Sequence, residues 1–268
     1  VITNVLSIAG TDPSGGAGIQ ADLKTFSALG GYGMSVVTAL VAQTTTGVTA
    51  IHDVPAGFVT AQLDTLLGDV RVDAVKVGML GSTAVIEAVA NALERYDVGY
   101  VVLDPVMVAK SGDRLLAADA VTALRERLLP RADLITPNLP EAADLLGDSE
   151  ATGEEAMPAQ ARRLLSLGAR RVLLKGGHLS GSSSDDLLMW PDGQEWLRGS
   201  RVNTRNTHGT GCTLSSAIAV LRSQRTSWLA AARDAKSYLT GTLQNADQLS
   251  VGRGHGPVHH FYRWWKHE

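Results

Sequence analysis

The chain is 268 residues long, with 24 basic and 27 acidic side chains, a net charge of −3 and a hydrophobic fraction of 44%. That balance describes a folded globular protein and excludes a disordered one, and a weakly acidic chain offers no electrostatic footprint for nucleic acid. Its one cysteine, Cys212, excludes an intrachain disulfide and a multi-cysteine metal site, and no run of about 18 apolar residues is present to cross a membrane. The apolar stretch over 1–10 has no basic leader and is too short for a signal peptide, so a cytoplasmic protein is expected. At this length an α/β chain is expected to form one domain over 1–268.

Apolar, strand-forming runs alternate with helical spacing along the chain. Residues 5–9 read as a buried strand that ends in the glycine-rich turn 10–18. Apolar side chains at Ile19, Leu23, Phe26 and Leu29 predict a helix stopped by Gly30 and Gly31. A second strand is expected over 35–42, then a helix over 56–67, a strand over 74–77, a helix over 83–95 and a strand over 100–103. A helix over 118–129 is stopped by Pro130 and followed by a strand at 134–135. Helices over 141–146 and 154–167 precede a strand over 171–174. Asp192-Gly193 predicts a hairpin joining 186–190 to 195–197, and helices over 213–222 and 228–243 follow. This alternation predicts a mostly parallel sheet with helices on both faces, an αβα sandwich. The nearly continuous apolar strands agree, because both sheet faces are then covered. The polar stretch 180–186, rich in Ser and Gly, reads equally as a surface loop or as a flap over a site.

In open parallel sheets ligands bind beyond the carboxyl ends of the strands, and the suggestive residues fall there. They are the 10–18 turn, Gln43, Gly78-Met79, Asp104-Pro105-Val106, Thr136-Pro137-Asn138 and Lys175-Gly176-Gly177-His178. The strongest feature is Asn206-Thr207-His208-Gly209-Thr210-Gly211-Cys212-Thr213, which opens an apolar helix. Two glycines there let backbone N–H groups converge at a helix N-terminus, an arrangement suited to phosphate. A P-loop signature is absent. Gly16-Ala17-Gly18-Ile19-Gln20-Ala21 does match Gly-x-Gly-x-x-Ala, but it begins too far beyond its strand. The second strand also ends at Gln43 with no acidic residue for a ribose. A nicotinamide-dependent oxidoreductase is therefore disfavoured.

Six motifs then occur in order: Gly10-Thr11-Asp12-Pro13-Ser14-Gly15-Gly16-Ala17-Gly18, Val77-Gly78-Met79, Leu103-Asp104-Pro105-Val106-Met107, Thr136-Pro137-Asn138-Leu139-Pro140-Glu141, Lys175-Gly176-Gly177-His178 and His208-Gly209-Thr210-Gly211-Cys212-Thr213. With these the chain closely resembles the hydroxymethylpyrimidine/phosphomethylpyrimidine kinases of thiamine biosynthesis, within the ribokinase-like superfamily. The likeness covers about 5–224, and Gly254-His255-Gly256-Pro257 continues it. The resemblance implies an αβα sandwich without a separate lid domain and two successive ATP-dependent phosphorylations of 4-amino-5-hydroxymethyl-2-methylpyrimidine. It implies that Gly10, Asp22, Gln43, Met79 and Val106 line the pyrimidine pocket. Asp104 and Glu141 would organise Mg2+. Asn138, Lys175, Thr207, Gly209 and Lys236 would meet ATP, and Gly209, Thr210, Gly211 and Cys212, with Lys175, would carry the phosphoryl transfer. A monovalent cation is a further candidate cofactor, and a homodimer is expected.

Gln43 offers both a donor and an acceptor to an aminopyrimidine, and Asp22 is expected to accept from its amino group. Related ribokinase-like enzymes usually carry Asp where Cys212 stands, so the thiol is read as either a thiolate base or a neutral donor. The nearest alternative functions are a pyridoxal kinase and a non-catalytic pyrimidine-binding module. The aromatic tail, Phe261-Tyr262-Arg263-Trp264-Trp265, is expected to pack on the body of the protein or on a partner.

Overall fold

Ala74-Val75-Lys76-Val77 is buried at every position, as only a central strand covered on both faces can be. The computed structural model describes residues 1–108, 112, 115–116 and 119–265, and it sets this strand, β5, beside β1 (Thr3–Ala9) and β6 (Tyr100–Leu103). β2 (Gly31–Val37), β7 (Leu134–Ile135), β8 (Val172–Lys175), β9 (Asp186–Trp190) and β10 (Gly193–Leu197) complete an eight-stranded sheet of order β10-β9-β8-β7-β6-β5-β1-β2. β9 and β10 run antiparallel to their neighbours, and every other pairing in this sheet is parallel.

Helices cover both faces, as the alternating pattern predicts. α1 (Gly18–Ala28), α7 (Thr210–Gln224) and α8 (Trp228–Gln244) share one apolar core with Val5, Ala74, Val102 and Leu173. α2 (Ala56–Leu67), α3 (Thr83–Arg95), α5 (Leu139–Leu146) and α6 (Met157–Ser166) pack on the other face around Leu6, Val75, Val77 and Leu174. The side chains of β5 thus alternate between two cores. The predicted 118–129 helix begins outside the described residues. Its described part is α4 (Ala120–Ala123), a wide π turn (Leu124–Leu128) and a 3-10 turn (Leu129–Arg131). Pro130 supplies no N–H to continue the regular ladder.

The predicted strand over 35–42 is corrected: the chain breaks at Thr38 and divides between two sheets. β2 ends at Val37, while β3 (Ala39–Thr44) pairs antiparallel with β4 (Gly47–Asp53) in a separate ribbon. Thr38 is the pivot. Its N–H bonds Ala9 O at 3.0 Å, its carbonyl accepts from Val54 N at 3.0 Å, and its hydroxyl donates to Met79 O at 2.6 Å. β4 escaped the sequence reading because its side chains are half-buried or exposed throughout, so no apolar run marks it.

A second set of long-range contacts ties residues 254–262 to the rest. Gly254 N and His255 N both bond Thr45, each at 3.1 Å, and His208 N bonds Gly256 O at 3.0 Å. Further on, Thr213 Oγ1 and His260 Nε2 are 3.0 Å apart, and Tyr238 donates to His260 O at 2.7 Å. Phe261 and Tyr262 pack on the α7–α8 core, as the tail is expected to do. Trp264 and Trp265 stay 65% and 54% exposed, although Trp265 stacks on Phe261.

Beneath this frame, Lys76 Nζ lies 2.9 Å from both carboxylate oxygens of Asp22, and both side chains are fully buried. Ser7 and Ser216 donate to the same carboxylate at 2.6 and 2.7 Å. Removing one partner of such a pair strands a charge, whereas replacing both with apolar groups does not. Lys76→Met is therefore expected to lower the unfolding free energy in urea by about 3–5 kcal/mol, and Lys76→Met with Asp22→Leu to recover most of the loss.

Candidate active site

The strands β1, β5, β6, β7 and β8 all deliver their carboxyl ends to one edge of the sheet, where a cavity of about 610 Å³ opens. Among the sequence-predicted residues, Gly10, Gln43, Met79, Val106, Asp104, Glu141, Asn138, Lys175, Thr207, Gly209, Thr210, Gly211, Cys212 and Lys236 all line it. Asp22 does not. Its carboxylate lies below the cavity floor, taken up by Lys76, Ser7 and Ser216. The expectation that Asp22 accepts from a bound amino group is corrected accordingly: it holds the cation Lys76, which does reach the cavity wall.

At one end the walls are apolar. Ala39 and Val41 of β3 pack with Met79, and Val48, Val106 and Leu115 close around them. A Cβ on Gly10 would come within 3.2 Å of Met79 Sδ, so the bare backbone at Gly10 keeps this end open. Gln43 brings an amide to the same end.

The centre of the cavity is charged. Lys175 follows from the pairing of β7 and β8: its N–H bonds Pro137 O at 2.9 Å. Its ammonium lies 3.1 Å from Asp104 Oδ1 and 3.8 Å from Glu141 Oε2. Asp104 also accepts from Thr136 at 2.9 Å and Ser215 at 3.3 Å. Burial works against its charge, but Lys175, Lys76 and these donors hold the carboxyl below the usual range. Lys175 is likewise penalised by burial, and Asp104 and Glu141 more than offset that, raising it above an ordinary lysine. Glu141 is different. Burial pushes it up to about 7, because Lys175 sits closer to Asp104, and Asp104 itself repels a second charge. Asn138 and Glu141 form a capping box at the start of α5, each bonding the other's backbone N–H at 2.8 Å.

Two helix N-termini converge here. Gly209 caps α7 with φ +80°, and a Cβ there would run into Gly16 O, so only glycine fits. The first turn of α7, Thr210-Gly211-Cys212, then presents its free N–H groups to the cavity. α1 starts at Gly18, whose backbone N–H favours the charged form of the Cys212 sulfur. Cys212 is partly open to the cavity but enclosed by protein on its other sides. That enclosure pushes the thiol up to about 11; Lys76 and the Gly18 N–H pull it down, while Asp22 and Asp104 push it further up. Of the two readings of Cys212, thiolate base and neutral donor, the raised thiol favours the neutral donor.

The far end is built from the hairpin and α8. Lys236 Nζ reaches Asp186 Oδ2 and Ser184 O, each at 2.5 Å. The polar stretch 180–186 and the residues before it gather around Arg201, which donates to the carbonyls of Gly177, Leu179, Gly181 and Ser183. Ser184 and Arg201 line the cavity. Sequence reasoning missed Lys76, Asp12 and His208. A lone lysine inside an apolar four-residue strand was the signal for the first. Asp12 and His208 stood inside quoted motifs without an assigned role.

A family model described as phosphomethylpyrimidine kinase matches residues 12–259. The chain is similar to the hydroxymethylpyrimidine/phosphomethylpyrimidine kinase of Salmonella typhimurium, with 57% identity over 262 residues that span 98% of each protein. Among solved structures it is similar to a Bacillus subtilis pyridoxal kinase in an ADP complex, with a TM-score of 0.90, 34% identity and coverage of 98% of this chain and 100% of that one. It is also similar to a phosphomethylpyrimidine kinase from Clostridium difficile, with a TM-score of 0.79, 40% identity and coverage of 89% and 98%. The fold is thus the ribokinase-like αβα sandwich that the motifs imply.

The raised thiol gives a direct test. Only the thiolate alkylates, and roughly a thousandth of Cys212 is thiolate at pH 8 if it titrates near 11. Iodoacetamide labelling is expected to be slow at pH 8 and to rise about tenfold per pH unit through pH 10. A plateau below pH 9 would contradict the buried-thiol assignment.

Proposed function

The chain belongs to the phosphomethylpyrimidine kinase family, and we propose that its cleft phosphorylates 4-amino-5-hydroxymethyl-2-methylpyrimidine with ATP, first to the monophosphate and then to the diphosphate. The observation that carries this reading is one continuous cavity with an apolar, amide-bearing pocket at one end and two helix N-termini with a lysine at its centre. The pyrimidine takes the pocket of Gly10, Gln43, Met79 and Val106. ATP extends from the first turn of α7 past Asn138, Thr207 and Lys175 toward Lys236, where Leu239 and Leu243 of α8 give its base apolar neighbours.

Phosphoryl transfer through a loose transition state depends on positioning and on stabilising charge at the phosphoryl oxygens. The N–H groups at Gly209–Cys212 and the ammonium of Lys175 supply both. The acceptor hydroxyl forms the new P–O bond while the bond to the ADP oxygen breaks. Because the Cys212 thiol stays protonated, it acts as a neutral neighbour of the acceptor and not as its base. The hydroxyl proton passes to an oxygen of the transferred group or to water.

Mg2+ favours one or two carboxylates and keeps several waters while it bridges phosphates. Asp104 and Glu141 fit that requirement, and no larger cluster of metal-ligating side chains occurs among the described residues. Asp104 is already engaged by Lys175, Thr136 and Ser215, so these carboxylates would hold the ion through water. When bound, it neutralises charge on the phosphates. The same reading makes the whole chain one kinase domain, acting in the cytoplasm as a homodimer. Leu40 of β3, Ile51 of β4 and Phe58 of α2 are exposed apolar side chains, and a second copy covering some of them would support the last point. No helix among the described residues is long and apolar enough to cross a membrane.

The direct experiment is ADP release with Mg-ATP, offering hydroxymethylpyrimidine, its monophosphate and pyridoxal in turn. Turnover on both pyrimidines is expected. Turnover on pyridoxal alone would keep the phosphate site and overturn the acceptor. A second test concerns Cys212. A fixed carboxylate there would repel an acceptor that is already a phosphate, so Cys212→Asp is expected to cut the second phosphorylation at least tenfold more than the first. Equal losses in a folded protein would reject that role.

A further inference from the structure

At the acceptor end of the cleft a single imidazole joins segments far apart in sequence. His208 Nε2 lies 2.8 Å from Asp12 Oδ2, and the two residues are only 5% and 1% exposed. Asp12 also accepts from Ser14 N at 2.9 Å, Ser14 Oγ at 2.7 Å, Gly16 N at 3.1 Å and Ala17 N at 2.8 Å. The glycine-rich loop lies against the ring, since a Cβ on Gly16 would overlap His208 Cδ2. The amide of Gln43 approaches from the β3–β4 ribbon, with its Nε2 position 3.5 Å from the same imidazole nitrogen.

The hydrogens follow from chemistry. Burial favours a neutral Asp12, but His208, Ser14 and Ala17 outweigh it and hold the carboxyl down to about 2. Asp12 is therefore a carboxylate and only accepts, so His208 Nε2 carries a hydrogen and donates to it. An N–H on that nitrogen leaves no lone pair for the NH2 end of Gln43. The two ends of an amide occupy nearly the same space, and the network chooses between them. The carbonyl end of Gln43 faces the imidazole, and the NH2 end is left for the cavity.

We propose that Asp12 and His208 are positioning residues that fix the polarity of the Gln43 amide, so that the pocket selects a ring acceptor beside an amino donor and rejects the reversed pattern. This rests on the reading that Gln43 meets the pyrimidine. Its NH2 group donates to a ring nitrogen, and its carbonyl, set beside the His208 N–H that Asp12 holds, accepts from the ligand's amino group. A 4-oxo analogue of the substrate presents a ring N–H and a carbonyl instead. Each would then face its own kind, and buried mismatched polar groups discriminate strongly.

The test compares kcat/KM for the 4-amino substrate and its 4-oxo analogue, in the unmodified protein and in His208→Leu. The leucine has no N–H to exclude the NH2 end of the amide, which frees Gln43 to turn over. The preference ratio is expected to fall about tenfold, chiefly through KM. A purely structural role would lower both activities together and leave the ratio unchanged, and that result would overturn the proposal. If His208→Leu folds poorly, Asp12→Asn with His208→Leu leaves no buried charge without a partner and reads the same ratio with the same two outcomes. Absence of turnover on the 4-amino compound by the unmodified protein would overturn the kinase reading itself; turnover with an unchanged ratio overturns only the positioning.

Discussion

The buried pair of Lys76 and Asp22 is the constraint around which the cleft is arranged. A fully buried ammonium is tolerable only when it is paired and hydrogen-bonded. Asp22 meets that demand from α1, and Ser7 of β1 and Ser216 of α7 satisfy the rest of the carboxylate. Four elements from three distant parts of the chain are thereby locked beneath the point where the helices α1 and α7 begin. Burial lowers Lys76, but Asp22, Cys212 and Asp104 more than offset it and raise the group above an ordinary lysine. A permanent positive charge therefore stands behind the first turn of α7.

The remaining charges divide the work by how well each is compensated. Lys175 sits closer to Asp104 than to Glu141, and the difference of 3.1 against 3.8 Å separates two carboxylates that composition alone treats alike. Asp104 is held below the usual carboxylate range, and burial pushes Glu141 up to about 7. The thiol of Cys212, between Lys76 and the two acids, is neutral because burial and like charge outweigh one ammonium and one N–H. Each ammonium is matched by a carboxylate, Lys76 by Asp22, Lys175 by Asp104 and Lys236 by Asp186, so the two helix N-termini are what remains to meet an anionic donor.

Much of this was legible in the sequence. Strands such as 74–77 and 100–103 and helices such as 56–67 and 83–95 coincide with the observed elements, because apolar runs and 3.6-residue spacing encode burial directly. The strand over 35–42 failed because local pattern cannot show that Thr38 donates to Met79 O, 41 residues away, and turns the chain into another sheet. β4 failed because an exposed ribbon has no apolar signature. Residues that owe their position to strand ends or helix caps do line the cavity, because those ends carry local signatures. Asp22 was misread because its partner, Lys76, lies 54 residues further on, and no spacing rule links them. His208 and Asp12 are separated by 196 residues, so their joint role is visible only in three dimensions.

The contacts of residues 254–257 with Thr45, Asn206 and His208 have a consequence for how the protein is made. The acceptor pocket draws on Asp12 and Gln43 from early in the chain, but the groups that anchor them arrive some two hundred residues later. A nascent chain can form β1, α1 and β2 as a local unit, since these are neighbours in sequence. It cannot close the pocket until α7 and the 254–257 segment have left the ribosome. Contacts of such long sequence separation are slow to form, and the incomplete cleft meanwhile shows water the apolar wall of Met79, Val41 and Val106. The interval between synthesis and closure is where this enzyme is most open to aggregation and to proteases.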